Sequence, residues 1–246
     1  MYFRTLFSRE FSAIRKRPTF YIALIAVLSA IAVAFMYLLH FPIFPGAYNI
    51  LQFDLADISV AIAAITLGPL SAATVALIKC LLYLPKDMGQ TFGVGVLSNF
   101  ICAFIFGLIV ALVYHLRVLA KPGAKNDMIF LLAAFISGVI VEIAVAMAAN
   151  RYIFVPLYII VFPGMADYFR EYFLTSYYIF VVVPLFNLLQ FSANGIAGFL
   201  LAKALLKILP GMLPDFMKGS AADTDELAAK NETGPENETT KTDIYI

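Results

Sequence analysis

The chain has 246 residues, of which 62% are hydrophobic and 13% are charged, and its mean hydropathy is +0.90. A soluble domain is about half apolar and about one quarter charged, so this composition predicts a protein that crosses a membrane several times. The formal net charge of +1 gives no basis for nucleic-acid binding. Cys80 and Cys102 both lie within apolar runs, which argues against a disulfide framework.

Residues 1–18 form a basic segment without the pattern of a cleavable signal peptide. Their arginines and lysine lie among scattered aromatic residues, which predicts a weakly amphipathic cytoplasmic lead-in. The first apolar span follows from Phe20 to Leu39. Ala26, Ala30 and Ala34 recur in it at every fourth position, and such a stripe of small residues lets two membrane helices approach closely. An alanine-rich helix can also produce this spacing by chance.

The segment from His40 to Asp54 contains two prolines, one glycine and several aromatic residues, which predicts a structured loop. Asp54 and Asp57 stand at the start of the apolar segment that follows it. A carboxylate at that position can cap a helix by accepting bonds from its free N–H groups, or it can contact a ligand. The sequence leaves both roles open for each aspartate.

Six membrane-spanning helices are predicted, and the fold class is therefore an all-α, polytopic membrane protein. The second and third helices flank Gly68-Pro69 and are too short to cross the hydrocarbon alone, so at least one end is expected to lie within protein or in a watery vestibule. A turn is expected from Pro85 to Thr91, and a lid with an interfacial helix from Arg151 to Tyr178. The predicted spans are Phe20–Leu39, Ile58–Leu67, Ser71–Leu84, Phe92–Leu116, Ile129–Ala149 and Ile179–Leu206.

Basic residues divide unevenly between the two sides of these spans. Lys86, Arg151 and Arg170 fall on one side, and the N-terminal segment, the linker with Arg117, Lys121 and Lys125, and the last span's end with Lys203 and Lys207 fall on the other. The positive-inside rule then predicts that both termini are cytoplasmic, in a multi-pass protein of the cell membrane. Residues 19–209 are assigned to the membrane domain, and the polar residues 210–246 are predicted to be a disordered cytoplasmic tail.

Charged and amide side chains within the spans are the candidates for function, because a bilayer accepts them reluctantly. Lys79 and Glu142 could pair with each other, or Lys79 could line a ligand cavity or extend toward the membrane surface. Asn150, Asn187 and Gln190 could surround one outer cavity that offers donors and acceptors without formal charge. That chemistry suits a neutral, flat, hydrogen-bonding ligand, although amides also bond between membrane helices.

Motifs of catalysis are missing from the sequence. It contains no GxxxxGK[ST] phosphate loop, no HExxH and no GxSxG, and its two histidines are too few for a histidine metal cluster. The chain is therefore predicted not to be an enzyme, and no metal or cofactor is expected.

Four motifs, distributed between Pro18 and Leu209, resemble one known family. They are FPIFPGAYNILQFDLADI, LGPLSAATVALIKCLL, GVGVLSNF and PLFNLLQF. In order and spacing they are similar to the substrate-binding S components of energy-coupling-factor (ECF) vitamin transporters, and most similar to the riboflavin-binding, RibU-type members.

The resemblance implies capture of a vitamin, riboflavin first, at the outer face. It also implies assembly with a transmembrane coupling protein, docked on the alanine stripe, and with two ATP-binding-cassette ATPase subunits that drive uptake. Asn150 and Asn187 match asparagines of the family, whereas Gln190 and Gln52 stand where riboflavin-binding members usually carry lysine. The ligand-binding residues expected in this way are Gln52, Phe53, Asp54, Lys79, Asn99, Asn150, Asn187 and Gln190.

Two other readings remain open from the sequence. The same cavity could take another small vitamin or a modified-base precursor. Alternatively, the chain could be a membrane scaffold of similar architecture that binds no ligand.

Overall fold

A computed structural model describes residues 2–48, 50–120 and 127–208. These residues form a bundle of α-helices with a short hairpin at one end. The predicted linker at Lys121 and Lys125 and the predicted tail, residues 210–246, lie outside the described residues. The helices are α1 (Tyr2–Lys16), α2 (Pro18–Leu38), α3 (Asp57–Thr66), α4 (Pro69–Met88), α5 (Val94–Ala120), α6 (Asp127–Ala149), α7 (Val155–Val161), α8 (Ala166–Phe173) and α9 (Val183–Ile208).

Five helical stretches are long and apolar enough to cross a membrane, which confirms the polytopic membrane class. The predicted second span corresponds to α3, which is apolar but has only ten residues. Large apolar side chains such as Ile140 and Ile22 are more than 60% exposed, as expected for surfaces that face lipid. The five stretches are Pro18–Leu38, Pro69–Met88, Val94–Leu116, Ile129–Val161 and Tyr178–Leu205.

Helix α3 is the centre of the bundle. All ten of its residues are buried, as expected of a helix that is apolar on every face. Glycines of the surrounding helices allow this close packing. A Cβ atom at Gly198 of α9 would lie 2.5 Å from the Ala61 Cβ, and one at Gly107 of α5 would lie 2.7 Å from the Val60 Cγ1. The short predicted span is therefore enclosed by protein.

The predicted loop from His40 to Asp54 forms an antiparallel hairpin, which contains the only two β-strands among the described residues. Its strands are β1 (His40–Pro42) and β2 (Gln52–Asp54), with His40 opposite Asp54 and a 3₁₀ turn at Gly46–Tyr48 between them. Phe41 packs on Phe53 across the strands, with ring centroids 5.5 Å apart.

The predicted end of α4 was wrong, and the helical path after the predicted end of α6 continues further than expected. Helix α4 continues past Leu84 to Met88, with Pro85 in its last turn, so the turn after it begins later than expected. The helical path of α6 continues beyond Ala149 through the π turn Asn150–Phe154 into α7. Pro156 has no N–H to donate, and a π turn accommodates the resulting break in the hydrogen-bond ladder. A second π turn, Tyr178–Val182, precedes Pro184 in the same way.

Helix α1 packs against the bundle through one buried face. Leu6, Glu10 and Ala13 are buried, at the spacing of a single helical stripe. The Glu10 carboxylate reaches the N-terminus of α4, where Oε1 accepts hydrogen bonds from the Ser71 N–H (2.9 Å) and hydroxyl (3.0 Å) and Oε2 accepts one from the Leu70 N–H (3.0 Å). Burial raises the Glu10 pKa, and these hydrogen bonds oppose that effect.

Candidate functional site

A cavity opens at the end of the bundle formed by the last turns of α2 and α4 and the first turn of α5, called the cavity end below. The cavity has a volume of about 150 Å³, which is room for several water molecules. Residues of the hairpin and of both π turns contribute to its wall. Most of the wall is apolar, and much of that is aromatic: Tyr83, Phe154, Tyr158, Phe173, Tyr178, Phe186 and Phe191.

The aromatic side of the cavity is held by ring-to-ring contacts. Phe173 meets Tyr178 edge-on, with centroids 4.7 Å apart, and Tyr48 of the hairpin turn stacks on Tyr178 at 5.6 Å. Tyr158 stacks on Phe169 of α8 at 5.1 Å. Such contacts fix the rings where they stand, so the wall presents flat apolar faces to whatever enters.

Asp54 is the last residue of β2 and lies on the cavity wall. Each of its two carboxylate oxygens accepts a hydrogen bond. Its Oδ1 accepts a hydrogen bond from the Ala56 N–H (2.9 Å), and its Oδ2 accepts one from the Asn99 amide (3.2 Å). Burial raises the Asp54 pKa from an ordinary value of 3.8 to about 6, with the nearby Lys79 ammonium opposing the rise. Both Asp54 and Asn99 thus lie on the cavity wall, as predicted.

Asn194 performs the capping that the sequence suggested for the aspartates. Its Oδ1 accepts a bond from the Ile58 N–H at the start of α3 (3.0 Å), and its Nδ2 donates to the Asp54 carbonyl (2.8 Å). One amide of α9 therefore joins the hairpin to the central helix. The sequence places Asn194 in the last span but carries no signal for this contact.

The three predicted amides line the cavity together, but they differ in which of their hydrogen-bonding atoms already have partners. The Asn150 side chain donates to the Ala146 carbonyl (2.9 Å) and accepts from the Tyr178 hydroxyl (3.1 Å). The Asn187 Nδ2 donates to the Val183 carbonyl (2.9 Å). Gln190 is only 3% exposed, and its Oε1 has no hydrogen-bond partner within the described residues. A buried acceptor of this kind costs free energy until a donor reaches it.

Asp87, Thr91 and Gly95 form a polar corner of the wall that sequence reasoning missed. The Asp87 Oδ2 accepts from the Thr91 hydroxyl (2.5 Å) and the Val96 N–H (3.2 Å), and the Thr91 Oγ1 accepts from the Gly95 N–H (2.8 Å). An Asp followed four residues later by Thr, ahead of a glycine-rich helix start, was the available signal. The sequence analysis placed Asp87 in a turn, whereas in the structure it belongs to α4 and is only 4% exposed. The signal was therefore missed.

Two predicted ligand residues lie off the wall. Lys79 is fully buried beside Asp57, with its Nζ 2.5 Å from the Asp57 Oδ1, so it pairs with that aspartate and not with Glu142. Phe53 packs on Phe41 in the hairpin. Gln52, by contrast, lines the cavity.

The alanine stripe lies on the surface of the bundle, away from the cavity. Ala26, Ala30 and Ala34 are exposed, whereas Leu28 and Ala32 on the opposite face of α2 are buried. A flat strip of small side chains is therefore open to a neighbouring helix or to lipid.

No group of three or more His, Cys, Asp or Glu side chains in the described ranges is arranged to hold a metal ion. The family described as "ECF transporter, substrate-specific component" matches residues 20–211. A solved structure of the S component of a bacterial ECF transporter is 26% identical in sequence, with a TM-score of 0.61, and covers 78% of this chain and 99% of its own. None of the curated proteins matches the sequence.

Proposed function

This chain belongs to the family of ECF transporter substrate-specific components, and on that premise we propose that it captures riboflavin, or a close relative of it, in the cavity. A member of the family is a substrate-binding subunit that works with an ECF transporter module and is not itself an enzyme. We also propose a surface that docks the partner protein and an orientation of the chain in the membrane. The cavity end faces outward, and both termini are cytoplasmic.

The observation that carries the ligand proposal is the buried, unpartnered Gln190 Oε1 within an aromatic wall. Riboflavin offers a flat fused-ring system, an imide N–H and a chain of hydroxyl groups. Its rings would pack among the aromatic side chains of the wall, and one of its donors would satisfy the Gln190 acceptor. A glutamine acceptor takes the place of the lysine that riboflavin-binding relatives usually carry, so the bond is neutral instead of charge-assisted.

The first test is the absorbance and mass of small molecules released from the purified, detergent-solubilised protein, followed by titration with riboflavin. We expect flavin at close to one per chain and quenching of flavin fluorescence on binding. Gln190→Leu should weaken binding by tenfold or more, because it removes the buried acceptor. Gln90→Leu is the matched control, since Gln90 lines the same cavity but is exposed at its rim, and it should weaken binding much less. A protein that ignores riboflavin contradicts the proposal.

A second candidate ligand is another small vitamin or a modified-base precursor. It is favoured by Gln52 and Gln190, which replace the lysines usual in riboflavin-binding relatives and leave the wall without those two cations. A compound other than flavin in the released fraction would decide for it. The scaffold alternative has less support, because a scaffold requires no cavity with a buried acceptor.

The alanine stripe is proposed to dock a transmembrane coupling protein, which in turn binds two ATP-binding-cassette ATPase subunits. Exposure of Ala26, Ala30 and Ala34 supports this role, since small side chains let a partner helix approach closely. Ala30→Leu should abolish capture of the coupling protein in a pull-down without weakening ligand binding. Ala144→Leu, on an exposed face of α6, is the control and should leave capture intact. Capture that survives Ala30→Leu would rule out the stripe as the docking surface.

A further inference from the structure

Two side-chain oxygens on residues of the cavity wall, one of Gln190 and one of Asp87, accept no hydrogen bond from the described residues. The Asn150 amide is occupied on both sides, and the Asn187 amide nitrogen is committed to its own helix. The Gln190 Oε1 is buried without a partner in the described part of the chain. A ligand that bonds these oxygens brings hydrogen-bond donors, which hydroxyl and N–H groups supply.

Asp87 adds a carboxylate oxygen to this set. Its Oδ2 is held by Thr91 and Val96, whereas its Oδ1 accepts none of the hydrogen bonds found among the described residues. Gly95 creates the space that Oδ1 occupies, because a Cβ atom at that position would lie 2.8 Å from it. The corner therefore holds one oxygen of Asp87 rigidly and leaves the other at the cavity.

Positive charge does not balance these oxygens on the wall. Lys79 is buried against Asp57, behind the wall, and the Lys86 Nζ lies over the rings of Tyr37 and Tyr83, 5.1 and 5.2 Å from their centroids. His40 is the single basic side chain among the described lining residues. Burial, reinforced by Lys86, lowers the His40 pKa and so disfavours the charged form of this histidine.

We propose that Asp87 is a specificity-determining residue of the cavity, which with Gln190 selects a hydroxyl-bearing ligand and rejects its phosphate ester. This inference rests on ligand capture as proposed above, but not on riboflavin being the ligand. A phosphate monoester carries between one and two negative charges at neutral pH. Inside the cavity it would lose water and meet the carboxylates of Asp54 and Asp87, with no lysine or arginine among the described lining residues.

The experiment compares each alcohol with its phosphate ester on the purified full-length protein at constant ionic strength. The pairs are riboflavin and riboflavin 5′-phosphate, thiamine and thiamine monophosphate, and pyridoxine and pyridoxine 5′-phosphate. We expect the alcohol of the bound pair to bind at least thirtyfold more tightly than its ester. Asp87→Asn should reduce this ratio at least tenfold, mainly by strengthening ester binding. Asp167→Asn, which changes a carboxylate that is 98% exposed on α8, should leave the ratio unaltered.

Gln190→Lys is a second test that does not depend on the stability of the Asp87 variant. It places a cation on the wall and should also strengthen ester binding by tenfold or more. Equal binding of an alcohol and its ester by the unaltered protein overturns the inference, as does an Asp87→Asn ratio equal to that of Asp167→Asn. Selection of thiamine or pyridoxine over its ester would refute riboflavin as the ligand and support the inference. Failure to bind any of the six compounds overturns both.

Discussion

Two buried carboxylates, Glu10 and Asp87, stand at opposite ends of α4 and are used in opposite ways. Each accepts hydrogen bonds from the first residues of a helix and from a neighbouring hydroxyl. Both oxygens of Glu10 are occupied, and a Cβ atom at Gly68 would lie 2.7 Å from its Cδ. Only one oxygen of Asp87 is occupied, and the other is left at the cavity.

The difference separates a structural carboxylate from one available to a ligand. A buried charge is tolerated when both of its oxygens find donors, and Glu10 meets that condition. Asp87 meets it only in part, in the region where Gln190 also lacks a donor. At the cavity end, two oxygens, one of Asp87 and one of Gln190, therefore accept no hydrogen bond from the described residues, and a ligand can supply the donors.

The largest expected effect is the loss of Glu10. Glu10→Ala leaves two N–H groups and one hydroxyl without their acceptor and detaches α1 from the start of α4. We expect a destabilisation of about 3–5 kcal/mol, seen as a lower melting temperature in detergent, with ligand affinity retained at temperatures where the variant is folded. Glu171→Ala, at an exposed position, is the control and should change little. Unchanged melting of Glu10→Ala would show that the contact is dispensable.

The second effect concerns the pH dependence of stability at Asp54. Its pKa is higher in the folded protein than in the unfolded chain, because burial disfavours the charged form. The folded state therefore binds the proton more tightly, and the stability from this group is complete below about pH 4 and is lost as pH rises through about 6. The loss is about 2–3 kcal/mol over that window.

Glu10 also has a raised pKa, so it too lowers the stability of the fold as pH rises. Asp54→Asn removes the contribution of Asp54 alone and so separates the two. The other ionisable groups near Asp54 all remain in the variant: His40, Asp57, Lys79, Cys80 and Tyr83. Chemical denaturation between pH 4 and 7 should show a smaller decline for Asp54→Asn than for the unaltered protein. Parallel pH profiles would exclude Asp54 as the source.

Much of the fold could be predicted from the sequence, because length and hydropathy are local properties. Four of the five long apolar stretches and the structured loop from His40 to Asp54 were found in this way, whereas α4 was expected to be too short to cross a membrane alone. The end of α4 was wrong, and the continuation of the helical path beyond Ala149 was not expected, because Pro85 and Asn150 look like terminators until neighbouring helices fix the backbone around them. A π turn, in particular, has no clear mark in a single sequence.

The candidate site was accessible only in part, for a related reason. Amides within an apolar span are conspicuous, so Asn150, Asn187 and Gln190 were expected at one cavity, and the structure brings them together there. Partnership is a tertiary property, however. The sequence could not tell that Asn150 is occupied by Tyr178 while the Gln190 Oε1 has no partner in the described structure, nor that Lys79 belongs to Asp57.

The smallest expected effects come from two substitutions, each of which removes one hydroxyl donor from one of the two carboxylates. They test the difference between Glu10 and Asp87 most directly. Ser71→Ala deletes a donor to Glu10, and Thr91→Val deletes a donor to Asp87. Each loss should cost about 1 kcal/mol of stability, measured by denaturant titration in detergent. Only Thr91→Val should also change ligand affinity, severalfold, because it frees the Asp87 carboxylate to rotate at the cavity wall. Equal ligand affinity in the two variants would mean that the open oxygen of Asp87 is not used for binding, and the distinction between the two ends of α4 would then be one of hydrogen-bond count alone.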